Sequence, residues 1–284
     1  SVQAQRLDNW ELIVIDDGST DESVQIVQSV NDPRIRTIRQ PNAGVSAARN
    51  TGVRFAQAPL VAFLDADDTW QPEFLEAVLS LRDEFSTAKV YATSFQYLLT
   101  NGDTYKANLV GFKDIPRGLL TSYFQVAAKS DPPIWSSAVA VDREALLSVG
   151  GFPVGVGSGE DLLTWARLAI RFPIAYDTRP LATYEVSVSS RGADPAKKVE
   201  RELKALLKMH PRTVGLRRYI GYWNCVEAGL ATSAGDRVHA LKLGHKAILY
   251  NPSDLRSWYY ASRSVMPAAL LSWLTRQRRD RRAK

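Results

Sequence analysis

Short apolar, β-branched runs alternate with amphipathic stretches along the first two thirds of the chain. Leu12-Ile13-Val14-Ile15 ends in Asp16-Asp17-Gly18-Ser19, which predicts a buried strand and a turn, and Ser19 with Glu22 has the spacing of a capping box for a following helix. Ile35 to Ile38 alternates as an outer strand. Pro41-Asn42-Ala43-Gly44 then breaks the chain before a small-residue helix, SAARNTGVRFAQ. Val61-Ala62-Phe63-Leu64 reads as a second buried strand, and Thr69-Trp70-Gln71-Pro72 opens a helix carrying Phe74, Leu75, Val78 and Leu81 at helical spacing. Asn101-Gly102, between the strand patterns 90–99 and 104–110, predicts a hairpin, and Trp135 to Val141 predicts a further strand. A glycine-rich link follows, and Glu160-Asp161 opens a helix bearing Leu162, Leu163, Trp165, Ala166, Ala169 and Ile170. The rhythm predicts an α/β domain with a mostly parallel sheet over residues 1–190, and a helical region over 191–284.

With 284 residues, 45% of them hydrophobic, the chain is long enough to bury a full core. A single cysteine, Cys225, excludes an internal disulfide framework and a cysteine-rich zinc site. No apolar run has the length of a membrane span and the amino end lacks the shape of a signal peptide, so a cytoplasmic location is expected. The net charge of +6 suggests nucleic acid until it is located: residues 276–284, RQRRDRRAK, carry six basic side chains and one acid, which leaves a nearly neutral body. Nucleic acid is therefore not the expected partner. The tail instead suits anionic headgroups at the inner face of the cytoplasmic membrane, with Val265, Leu270, Leu271, Trp273 and Leu274 supplying an apolar face. His210, His239 and His245 all lie in the helical region, where GDRVHALKLGHKAILYNPSD resembles the second helix of a tetratricopeptide hairpin; packing or surface roles are expected for them.

Two acidic clusters, Asp16-Asp17 and Asp65-Ala66-Asp67-Asp68, close predicted buried strands. In such a sheet the loops at the strands' carboxyl ends gather around a crevice. Carboxylates beside apolar strands are raised in pKa unless a cation or hydrogen-bond donors compensate, and a metal ion is a natural compensator. Glu160-Asp161 in a first helical turn complements the helix dipole, while the glycines before it suit a loop that closes over a ligand.

WELIVIDDGSTD, QPNAGVSAARNTG, VAFLDADDTWQP, GGF and GEDLLTWARLA, in this order, resemble the family 2 glycosyltransferases of GT-A fold over roughly residues 7–190. The resemblance implies transfer of a sugar from a nucleotide-diphosphate donor to an acceptor hydroxyl with inversion, in cell-surface polysaccharide or glycan synthesis, usually with Mg2+ or Mn2+. The expected acceptor is a glycan or lipid-linked saccharide. A divalent cation suits the charge that builds on leaving phosphates. By the same resemblance Asp67 is the first choice as metal ligand, Asp65 faces the ribose or assists the metal through water, and Asp68 replaces Asp67 if the strand ends one residue later. Asp161 is the candidate base and Glu160 the runner-up. Asp16 or Asp17 accepts a hydrogen bond from the donor's base, Arg49 reaches base or diphosphate, Gly44 permits close backbone approach, and Asn42 and Asn50 are weaker candidates. Trp165 either lines the acceptor side or packs.

Two departures from the family pattern stand out. Members begin with an apolar strand and a helix before the stretch matching WELIVIDD, which predicts an unpaired edge beside Leu12 to Ile15, and a frequent histidine near YEVSVSSRG is replaced by Ser187. The competing reading is a noncatalytic remnant that binds nucleotide weakly, or only partners through its helical region. A structural calcium site at DADD would leave GED unexplained.

Overall fold

A computed structural model describes residues 1–110, 116–156, 158–186, 197–263 and 265–266. The basic tail 276–284, the apolar residues Leu270 to Leu274 before it, and Ser187 lie outside the described residues. The chain forms two compact units, Ser1–Pro211 and Arg212–Lys284.

The first unit runs β1 (Leu12–Asp16), α1 (Ser23–Ser29), β2 (Ile35–Arg39), α2 (Val45–Phe55), β3 (Leu60–Ala62), β4 (Thr69–Trp70), α3 (Phe74–Glu84), β5 (Val90–Leu98), β6 (Thr104–Lys106), β7 (Arg117–Leu119) and α4 (Tyr123–Ala127). A 3-10 turn at Ser136–Ala138 leads into β8 (Val139–Asp142), α5 (Arg143–Ser148), α6 (Glu160–Arg171), β9 (Ile174–Glu185) and α7 (Lys197–Met209). The larger sheet has the order β3-β8-β5-β9-β4, with β6 on β5 and β7 on β9. Because β3 and β5 both pair antiparallel with β8, and β5 pairs parallel with β9, the carboxyl ends of β3, β5 and β9 share one rim.

The α/β class is as expected, but the pairing is mixed. Only β1–β2 and β5–β9 are parallel among the described pairs, because β8 inserts antiparallel between β3 and β5, and β6 returns through the predicted hairpin with Gly102 at φ 86°. The predicted strand 135–141 is divided: Trp135 to Ala138 leave the sheet as a loop and turn, and pairing starts at Val139. Among the described residues β1 pairs with β2 alone and β3 with β8 alone, so the two sheets are not joined, and Leu12 to Ile15 remain half-buried despite their apolar character. The capping box does not form. Asp16 takes the Ser19 N–H at 2.8 Å, and α1 begins only at Ser23, whose N–H goes to Asp21 at 3.1 Å.

Between α3 and the sheet sits the main core, in which Phe74, Leu81, Tyr91, Phe95, Ala140 and Ala175 are buried. A second aromatic nucleus anchors α6: Trp165 is fully buried, with its ring 5.5 Å from Phe152 and 6.3 Å from Phe63. Its role is packing. The compact units meet at Pro211/Arg212, and α7 lies in the first, where Glu202 meets Arg167 of α6 at 3.3 Å. The second unit packs α8 (Leu216–Ser233), α9 (Arg237–Tyr250) and α10 (Leu255–Arg263). Ala240 and Ala247 are buried on α9, and a Cβ on Gly244 would fall 2.5 Å from Ala261 Cα, so small residues there permit close helix approach.

Candidate active site

The end of β1 is fixed by its own acids. Asp16 is buried, accepts the Ser19 N–H and meets Arg39 Nε at 3.1 Å. Those contacts, the Ser19 N–H first, hold its carboxyl below the ordinary range. Asp17 takes Gln40 Nε2 at 2.7 Å and the N–H groups of Ala43 and Gly44 at 3.0 and 2.8 Å. Burial pushes the Asp17 carboxyl up, but these donors outweigh it and the pKa lies low. Asp17 thereby ties β1 to the turn before α2. Gly44 has φ 85°, and a side chain there would meet open space, so glycine is needed for the conformation of the turn.

The central feature is Arg49 on α2. Its Nη2 lies 2.8 Å from Asp65 Oδ1 and 3.1 Å from Asp65 Oδ2, and its Nη1 lies 3.1 Å from Glu160 Oε1, a residue 111 positions away. Only 10% of the Arg49 side chain is exposed. Burial opposes its charge, but Asp65, Asp161 and Glu160 prevail and raise its pKa. The guanidinium also lies over the Phe152 ring at 5.3 Å. One cation therefore brings the acids of DADD and GED together. Glu160 shifts upward, first because it is buried and then because Asp161 is adjacent; Arg49 offsets this in part.

The remaining acids differ in availability. Asp67 is exposed and has no hydrogen bond or ion pair among the described residues. Asp68 is buried and both oxygens are engaged: Oδ2 accepts Trp135 Nε1 at 3.0 Å and Oδ1 accepts the Glu185 N–H at 3.1 Å. Burial still raises its pKa. Asp68 is thus a structural acid joining the β3 loop to β9, and the expected substitution of Asp68 for Asp67 at a metal does not fit its partners. Mg2+ is commonly held by one or two carboxylates with waters and substrate phosphates, so a free Asp67 beside a partly exposed Asp65 fits a cation that arrives with a diphosphate. No group of three or more metal-ligating side chains occurs among the described residues. Asp161 is half-buried; Oδ2 accepts Ser136 Oγ at 3.2 Å and Oδ1 accepts the Leu162 N–H at 2.7 Å.

Asn50 does not face a ligand position. Its Nδ2 donates to Phe152 O at 2.7 Å and its Oδ1 accepts the Phe152 N–H at 2.8 Å, clasping the Gly-Gly-Phe loop. A Cβ on Gly151 would fall 2.5 Å from Asn50 Oδ1, which explains the glycine. Sequence reasoning passed over Trp135, Ser136 and Ser137 as site residues; the one signal was two adjacent hydroxyls directly before an apolar strand.

Residues 1–149 match the family described as Glycosyl transferase family 2. TuaG of Bacillus subtilis (strain 168), a glycosyltransferase assigned to teichuronic acid biosynthesis, is 32% identical over 216 residues, covering 72% of this chain and 81% of TuaG. An uncharacterized glycosyltransferase of Rickettsia felis is 29% identical over 188 residues, covering 66% of this chain, which spans only 30% of that relative's length. Among solved structures, S. aureus TarS 1–349 in complex with UDP-GlcNAc aligns with a TM-score of 0.63 at 16% identity, over 93% of this chain and 82% of that one. This likeness shows the fold, the GT-A class expected from the motifs.

Proposed function

The chain belongs to the family 2 glycosyltransferases, and from that premise we propose that it transfers a sugar from a nucleotide-diphosphate donor to an acceptor hydroxyl in polysaccharide or glycan synthesis. The observation that carries this reading is Arg49, which joins Asp65 of the donor-side loop to Glu160 of the acceptor-side helix at 2.8 and 3.1 Å. The acceptor oxygen loses its proton to a carboxylate, a bond forms to the anomeric carbon, and the bond to the diphosphate breaks, with the nucleotide diphosphate leaving. Asp161 suits the base better than Glu160, because it is half-buried with one side-chain donor, whereas Glu160 is buried and committed to Arg49. A single base without a second nucleophile supports inversion.

Asp67, assisted by Asp65, would hold Mg2+ or Mn2+, which when bound supplies charge neutralisation at the diphosphate. TarS has been solved with UDP-GlcNAc and with UDP, which supports a uridine nucleotide as the first donor to try. Relatives assigned to teichuronic acid and colanic acid biosynthesis support a glycan or lipid-linked saccharide as the acceptor to try. No described helix is long and apolar enough to cross a membrane; the net +5 of residues 276–284 supports peripheral contact with an anionic membrane from the cytoplasmic side.

The test is release of nucleoside diphosphate from a panel of UDP, GDP and dTDP sugars with Mn2+. Turnover with at least one donor, lost in Asp67→Ala, is expected; turnover unchanged in Asp67→Ala would remove Asp67 from the metal site. Tight, metal-dependent UDP binding would count against the noncatalytic remnant.

A further inference from the structure

The 3-10 turn Ser136–Ala138 sits between the two halves of the site, and its adjacent hydroxyls bond to different halves. Ser136 Oγ donates to Asp161 Oδ2 at 3.2 Å. Ser137 Oγ accepts the Asp65 N–H at 3.0 Å. The same turn is bolted on its far side: Trp70 Nε1 donates to Ser137 O at 2.6 Å, and Trp135 Nε1 donates to Asp68 Oδ2 at 3.0 Å. Both serines are almost fully buried, at 2% and 0% exposure, so neither hydroxyl has bulk water as an alternative partner.

From this geometry we infer that Ser136 and Ser137 are positioning residues that fix the spacing between the donor-side DADD loop and the acceptor-side carboxylate of Asp161. The inference rests on the transferase reading for its meaning, but the contacts themselves are independent of it. The turn is well suited to the task. The two hydroxyls sit on adjacent residues joined by one peptide unit, so a shift of the β3 loop reaches Asp161 through only two short, buried side chains. Reaction geometry is sensitive on this scale, since a displacement near 1 Å can cost on the order of 100-fold in rate. Asp161 needs such a support, because its other recorded bond is to the N–H of the next residue and sets no distance to the β3 loop. Arg49 makes the parallel connection for Glu160, so the two adjacent acids of α6 are tethered separately, one by charge and one by hydroxyl.

The experiment compares Ser136→Ala, Asp161→Asn and the double variant, with Ser137→Ala alongside. Turnover of the best donor from the panel and affinity for UDP with Mn2+ by calorimetry are measured on the full chain. Ser136→Ala should lower kcat roughly tenfold or more, leave UDP affinity within about twofold, and add nothing further in the Asp161→Asn background. Ser137→Ala should instead weaken UDP binding with Mn2+ several-fold. Wild-type kcat in Ser136→Ala, or an equal fall in the Asp161→Asn background, would overturn the inference. Absence of wild-type turnover with every donor would refute the transferase reading. Thermal unfolding of the same four proteins of the cycle then decides the contact: a roughly threefold or greater departure from multiplicativity in the unfolding equilibrium supports it, and multiplicative effects refute it.

Discussion

Removing the Arg49 guanidinium should be among the most destabilising single changes in the first unit. Its side chain is 10% exposed, and Glu160, at 11%, would be left as a buried carboxylate without its cation. Breaking a buried pair by deleting one partner costs roughly 3–5 kcal/mol. Asp65 is 31% exposed and therefore partly screened, so its share falls toward the surface value of about 1 kcal/mol or less. A total of roughly 3–6 kcal/mol is expected for Arg49→Ala, which for a unit of this size corresponds to a fall in Tm of roughly 6–24 °C. The penalty should also depend on pH. The Glu160 carboxyl already lies above its ordinary value because it is buried next to Asp161, and loss of Arg49 raises it further. A group whose folded pKa is raised binds its proton more readily in the folded state, so stability is lost as pH rises through that range. The Arg49→Ala deficit should therefore shrink toward pH 5 and grow toward pH 8. Arg49→Lys keeps the charge but cannot reach two acids with a planar fork, so it should recover only part of the loss. Urea and thermal unfolding at both pH values measure this. A deficit within about 0.5 kcal/mol of wild type at pH 8 would refute a buried, energetically coupled Arg49.

Two other substitutions test neighbouring parts of the site. Gly151→Ala must place a Cβ 2.5 Å from Asn50 Oδ1 at a φ of 63°, so it should destabilise by roughly 1–3 kcal/mol; Asn50→Ala should already carry part of that cost, making the pair non-additive in thermal unfolding. Asp68→Asn turns an amide toward the Trp135 or Glu185 donor and should cost roughly 1–3 kcal/mol in stability, while Mn2+-dependent UDP affinity changes little in calorimetry.

Much of the fold was legible because it follows from burial patterns. Apolar runs such as Leu12 to Ile15 became strands, Asn101-Gly102 became the hairpin turn, and the rim of β3 carried its acids as expected. Strand direction was less so: alternating strands and helices argue for parallel pairing, but nothing local in Val139 to Val141 says that this strand inserts antiparallel beside Val61. The acids were visible as types, but not their states. Asp67 and Asp68 are neighbours in sequence, yet one faces solvent and the other is enclosed by Trp135, Ser137 and Glu185, residues that lie 67 to 117 positions away. Arg49 likewise stood out as a cation in the sequence, whereas its bridge to Glu160 depends on how α2 and α6 meet. Asn50, read as a weak ligand candidate, turned out to hold the loop that brings α6 into place.

The central claim is that Asp161 removes the proton of the acceptor across from the donor-side acids. The most direct measurement is kcat for sugar transfer by Asp161→Asn beside its affinity for UDP with Mn2+. Loss of a general base should lower kcat by roughly 100- to 10,000-fold while UDP affinity stays within about twofold of wild type. A kcat equal to that of wild type in Asp161→Asn would contradict it.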